Sequence, residues 1–350
     1  MTENQKTAHN TDFSSSKLDP NPPLRFIFFI ALTVIVSAAY SVYRHYDFSY
    51  SIDADSYLRM AQGDFYHTSI THRYRFIVPL LAGGLTLPFR YVFAVVFPDR
   101  AADTENLIRF CFFIINSLLM AGFGTLLFRI ARSAGVAVWA AVLAMIFALT
   151  TRWGIDGAGV PLVESLYLLV VAMFTLGLLT GDRRLQIAAI FIGPFAKEAF
   201  VFFVPILLFY TNINKISVVK YLIISGLLVF ASRYLISTAT VVMTDEEGWN
   251  FLRHLYNIAT NLRIALTPKG ILETFSAVGL GGALLVYALT RKALRQSVFG
   301  GVPAILWVVL AACVLQGLLG EWGRMLYYAS PLWVVLIGRA AEKIFISSKR

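Results

Sequence analysis

Leu24-Arg-Phe-Ile-Phe-Phe-Ile-Ala-Leu-Thr-Val-Ile-Val-Ser-Ala-Ala-Tyr-Ser-Val-Tyr43 decides the fold. An apolar run of this length with one charge, rising about 1.5 Å per residue as a helix, matches the roughly 30 Å hydrocarbon core of a bilayer. It reads as the first transmembrane helix. Directly beyond it comes Ser51-Ile-Asp-Ala-Asp-Ser-Tyr57, and the same loop continues to Thr71-His-Arg-Tyr-Arg-Phe-Ile-Val-Pro79. Acidic side chains at the rim of a membrane bundle are costly to desolvate, so they usually have a task.

Working outward, comparable runs recur at about 106–130, 134–151, 160–180, 216–238, 273–290, 299–319 and 325–343. Two more are interrupted. The run at 76–97 contains Pro79, Gly83-Gly84 and Pro88-Phe-Arg90, and that at 185–209 contains Gly193-Pro194 and Lys197-Glu198. The chain is 58% hydrophobic and 14% charged, against about 45–50% and 25% for soluble domains. Its 350 residues hold roughly eight to ten spans, which leaves no room for a sizeable soluble domain. The expected fold is therefore all-α, a polytopic helical bundle of about ten helices in one domain over 24–350. The polar segment 1–23 reads as a disordered cytoplasmic tail; too many polar residues precede the first apolar run for a signal peptide.

A net charge of +10 would suggest nucleic acid in a soluble protein. Here the basic residues fall in short turns between apolar runs, where they act as topology signals and meet lipid head groups, so nucleic acid is not an expected partner. If segment 76–97 stays on the outer side and 185–209 is a hairpin, Arg129, Arg132, Arg183, Arg184, Lys215, Lys220, Arg291, Lys292, Arg295 and Lys343 all face the cytoplasm. The loop at about 44–105 and a second at about 238–272, with Asp245-Glu-Glu-Gly-Trp249 and Arg253-His254, then face outward. Cys111 and Cys313 lie inside apolar runs and read as small core residues.

The charges on that outer side are the candidate site. Asp53 and Asp55 can hold a divalent cation (Mg²⁺ or Mn²⁺), supply a general base, or cap the helix that begins near Tyr57. His72, Arg73 and Arg75 lie where a lipid phosphate would sit, and guanidinium forks bind phosphate in pairs of hydrogen bonds. Lys197 and Glu198 interrupt an apolar run and must meet water, a partner or a ligand; Lys197 offers a point charge for phosphate. Glu321 and Arg324 form a rim pair. Asp156 and Glu164 are spaced to share one helix face. No glycine-rich nucleotide loop, zinc-type histidine spacing or serine elbow is present, so nucleotide hydrolysis, a zinc site and a serine nucleophile are not expected.

The stretch Asp53-x-x-x-Tyr57, the following Arg73-Tyr-Arg75…Pro79-Leu-Leu-Ala, Asp156…Pro161-Leu-Val-Glu164 and Gly193-Pro-Phe-Ala-Lys197-Glu198 together resemble membrane glycosyltransferases of the GT-C superfamily over about residues 24–210. The resemblance implies a multi-pass protein, in a bacterial plasma membrane, whose active cavity faces outside. It implies transfer of a sugar from a polyprenyl-phosphate donor to an envelope or lipid-linked acceptor. In that reading Asp53 or Asp55 is the base, and His72, Arg73, Arg75, Lys197, Glu198 and Arg324 hold the donor phosphate. Tyr57, Asp156, Glu164 and Glu321 line the cavity. A transporter or flippase would also use a charged outward cavity but needs polar residues through the bundle, and here only Asn116, Ser117 and Gln316 offer themselves. A non-catalytic scaffold would tolerate loss of every acidic residue named.

Overall fold

The computed structural model describes residues 20–47, 52–68, 70–96, 104–238 and 251–347. The acidic stretch Asp245-Glu-Glu-Gly-Trp249 and most of the N-terminal tail lie outside them, as do the side chains of Arg253 and His254. The chain is all-helical, 84% helix, with no strand among the described residues. In order come α1 (Leu24–His45), α2 (Ile52–Ala61), α3 (Ile70–Arg73), α4 (Ile77–Val96), α5 (Thr104–Ser133), α6 (Val138–Leu149), α7 (Arg152–Gly159), α8 (Glu164–Thr180) and α9 (Arg183–Ala196). A 3-10 helix (Glu198–Phe203) leads into α10 (Val204–Tyr210), α11 (Lys215–Thr238), α12 (Phe251–Ala265), α13 (Pro268–Val278) and α14 (Gly281–Thr290). Then follow α15 (Lys292–Phe299), α16 (Ala304–Leu319), α17 (Trp322–Tyr327) and α18 (Ser330–Ser347).

Among the described residues four helices are long and apolar enough to cross a membrane: α1, α4, α5 and the greater part of α11. The number becomes seven if each bent pair counts as one span: α6–α7 at 65°, α13–α14 at 110° and α15–α16 at 92°. Several runs that read as single spans are thus broken helices. Gly279, with φ of 66°, supplies the left-handed residue at the sharpest bend, a conformation that costs a side-chain-bearing residue most.

Local chemistry fixes these turns. Gly181 ends α8 in a left-handed conformation, and the Asp182 carboxylate accepts from the amides of Arg184 (2.9 Å) and Leu185 to start α9. Such caps satisfy amides that the helix leaves unpaired. At the far end of α9, Pro194 removes a helical donor and Lys197 adopts an extended backbone. A Cβ on Gly193 would lie inside the Phe200 ring, so the 3-10 helix folds back tightly on α9.

The bundle has two chemically distinct ends. At one, Arg132 donates to Asn21 Oδ1 and to the Val136 carbonyl, both at 2.7 Å. Arg339 reaches the carbonyls of Ala134, Gly300 and Gly301 nearby, and Asn212 donates to the Gly181 carbonyl. The turns carrying Arg183, Arg184, Arg291 and Lys292 belong to this end. The opposite end gathers the C-termini of α1, α7, α9 and α16 with the N-termini of α5 and α8, and holds α2, α3 and α17. In α4, Gly83 packs on the backbone of Ala61, and Phe89 and Phe93 meet Phe110, which lies near Tyr43 in the last turns of α1.

Candidate functional site

Asp53 stands in the first turn of α2, where a carboxylate suits the unpaired amides of a helix start. Its Oδ1 lies 3.1 Å from His72 Nε2 and its Oδ2 3.7 Å from Arg324 Nη1. The His72 hydrogen bond is the main reason its carboxyl is pulled down to about 2; partial burial opposes this, and the charges of Arg324 and Arg75 add to it.

Arg324, on α17, bridges three carboxylates. Besides Asp53 it meets Glu164 at 3.1 Å and Glu321 at 2.7 Å, and its guanidinium lies 5.6 Å from the centre of the Trp153 ring. Glu164 opens α8, is 4% exposed, and also takes the charge of Lys197 at 3.6 Å. The turn that carries Glu164 is held by Asn116 of α5, whose amide donates to the carbonyls of Val160 (3.2 Å) and Leu162 (3.0 Å) while Ser165 donates to its oxygen. Lys197 Nζ donates to Tyr328 Oη at 2.9 Å. Arg75 makes a two-pronged pair with Glu198 and donates to Tyr57 Oη at 3.2 Å.

Two cavities open on either side of Asp53 and Arg324, the two residues that line both. The smaller, of about 220 Å³, is polar: Arg152, Trp153, Asp156, Glu164, Glu321 and Tyr46 are among its walls. The larger, of about 740 Å³, combines His72, Arg75, Lys197 and Glu198 with apolar walls from Val201, Phe202, Ile258, Leu319 and Met325.

The structure therefore brings together Asp53, His72, Arg75, Asp156, Glu164, Lys197, Glu198, Glu321 and Arg324 from across the chain. Others lie apart. Asp55 pairs with Arg59 at 2.9 Å on the exposed face of α2. Arg73 is buried and donates to the carbonyls of Thr68 (2.9 Å) and Tyr66 (3.3 Å), which holds the loop and directs it away from both cavities. Tyr57 is fully buried behind Arg75. Asp156 and Glu164 do not share a helix face, because Val160 to Val163 separate α7 from α8; the turn between them brings both to the smaller cavity.

Arg75, Lys197 and Arg324 are each matched by a carboxylate, with Asp53, Glu164, Glu198 and Glu321 as partners. Among the described residues no group of three or more His, Cys, Asp and Glu side chains is placed to hold a metal ion. Asp53 is engaged by His72 and Arg324 and Asp55 pairs with Arg59 on the exposed face of α2, so the Asp-x-Asp pair does not fit a shared divalent cation.

Arg152, Trp153 and Gln316, to which sequence reading assigns no role in the site, complete it together with Tyr167 and Tyr328, which that reading passed over. Tyr328 was within reach of it, since Arg324 and Tyr328 are four residues apart and such residues lie close on a helical turn. No family model matches the chain, and neither a curated protein nor a solved structure gives a significant match.

Proposed function

We propose that the protein is a membrane glycosyltransferase that moves a sugar from a polyprenyl-phosphate donor to an acceptor hydroxyl. The observation that carries this reading is the pair of unlike cavities meeting at one carboxylate, Asp53. The larger suits an amphipathic donor, with Lys197, Arg75 and His72 toward its phosphate and apolar walls along its chain. The smaller, with carboxylates and the Trp153 ring, suits a polyol, whose hydroxyls donate to carboxylates while its C–H faces pack on an aromatic ring.

The chemistry is a displacement. The acceptor oxygen attacks the anomeric carbon, its proton passes to Asp53, and the bond from that carbon to the phosphate oxygen breaks. The electron pair leaves on the phosphate, whose charge Arg324 and Lys197 stabilise. A carboxyl held near 2 is a weak base while His72 and Arg324 grip it. A donor phosphate competes for those same two hydrogen-bond donors, so donor binding raises the basicity of Asp53 as the acceptor arrives. Positive residues at the opposite end support an orientation with the site outside the cytoplasm under the positive-inside rule. In this reading α4 stays at the site end and the chain passes ten times between the two ends.

Transport is less well supported, since polar side chains through the bundle are few and two of them are engaged: Asn116 by the α7–α8 turn and Thr175 by the Val171 carbonyl. The deciding experiment incubates membranes carrying wild type or Asp53→Asn with radiolabelled polyprenyl-phosphoryl hexoses and pentoses. Label transferred to envelope glycan or lipid by wild type alone supports the reading. Equal transfer by both, from every donor, removes it.

A further inference from the structure

One wall of the larger cavity belongs to a residue with an unpaired hydrogen-bond donor. Gln316, in the last turn of α16, is 2% exposed and lines that cavity. Its Oε1 accepts from Tyr167 Oη at 3.0 Å. With the amide in this orientation the tyrosine hydroxyl donates to the oxygen, and the nitrogen is left without that partner. Nε2 is buried and has no hydrogen-bond partner among the described residues. A buried donor left unpaired is costly and uncommon, so a persistent one calls for a reason.

The surroundings strengthen the point. Tyr167 is fully buried and packs edge-on against Tyr328 with ring centres 4.8 Å apart, and Tyr328 in turn accepts from Lys197. Gln316 and Lys197 are thus fixed by the same tyrosine pair and line the same cavity. Helix packing alone needs no glutamine here: its neighbours Val309, Ala312 and Cys313 on α16 are buried apolar residues.

We infer that Gln316 is a ligand-binding residue, giving its amide N–H to an oxygen acceptor on the head group of the lipid phosphate in the larger cavity. This rests on the donor site proposed above. The acceptor is either a phosphate oxygen or a sugar hydroxyl oxygen; both offer the same lone-pair chemistry, and the choice decides whether the residue reads the anchor or the sugar.

The test is binding to the purified full-length chain in lipid nanodiscs, with farnesyl phosphate and a set of farnesyl-phosphoryl hexoses as probes. Gln316→Met keeps the volume and removes the donor. Gln316→Glu keeps the oxygen that accepts from Tyr167 and replaces the donor by an acceptor, and its near-identical shape preserves folding. We expect each to weaken binding about tenfold or more, the scale of one hydrogen bond in a closed site. A loss confined to the glycosylated probes assigns the contact to the sugar; an equal loss for farnesyl phosphate assigns it to the phosphate. Unchanged affinity of both variants for every probe that wild type binds overturns the inference and leaves the proposed function standing. If folded wild type binds none of the probes, the proposed donor site is wrong and the inference falls with it.

Discussion

The acidic residues of the first loop differ sharply in their surroundings, and their variants should differ accordingly. Asp53→Asn keeps the shape and removes the basicity, so transfer should fall by about 10²–10⁴-fold, the usual loss of a positioned base. Asp55→Asn should stay within about fivefold of wild type, since it breaks only an exposed pair worth up to about 1 kcal/mol. The two positions, separated by a single residue, were nearly equivalent in sequence; what distinguishes them is which face of α2 each occupies. Asp53 also couples stability to pH. Its carboxyl is held at about 2, below the ordinary value near 4. The stabilisation is thus complete above that ordinary value and lost as pH falls through about 2. The group is one-third exposed, so screening reduces the effect to about 1–2 kcal/mol at most. Thermal unfolding in detergent should show Asp53→Asn less stable than wild type at pH 6 and indistinguishable near pH 2. Glu164 is a sterner case, because both Lys197 and Arg324 rely on it. Glu164→Ala should cost about 3–5 kcal/mol, the range for a broken buried pair. Lys197→Ala should cost less, since Glu164 keeps Arg324.

At the scale of elements, hydropathy located most of the apolar helices but not their breaks. The runs at 24–43, 106–130 and 216–238 correspond to α1, α5 and α11. The run at 273–290 proves to be α13 and α14 at 110°, because Gly279 turns the chain where average hydropathy registers only a small residue. The interrupted run at 185–209 does break at Lys197, as Gly193-Pro194 and the charged pair suggested. That break presents Lys197 to the cavity, and it depends on Phe200 lying against Gly193. Gly193→Val should push the ring away, at a cost of about 1–3 kcal/mol for an overpacked core, and should weaken binding of farnesyl phosphate more than Gly122→Ala does. Thermal unfolding read beside ligand affinity separates the two effects. Convergence of the site was only partly legible. Loop position and orientation grouped its charges on one side, but pairing of each cation with a carboxylate depends on rotations of α8 and α17 that no local pattern records.

For the molecule as a whole, the separation of a basic end from the site end is a statement about orientation that labelling can check. Single cysteines introduced at Gly63 and Arg184 should react with a membrane-impermeant maleimide from opposite sides, outside and cytoplasm in turn. Cys111 and Cys313 are buried and should give little background. Reaction of both positions from one side would overturn the ten-pass reading. The larger cavity has a further consequence through one of its walls. Val201, which lines it, is 61% exposed, so the cavity has an apolar edge, which in the proposed membrane reading meets acyl chains. A ligand with a hydrocarbon tail would then arrive by two-dimensional diffusion within the leaflet. Its governing concentration is its mole fraction among lipids, not its molarity in the tube. Diluting the vesicles with buffer should leave the rate per protein unchanged, while diluting the ligand with inert phospholipid at constant bulk concentration should slow it in proportion.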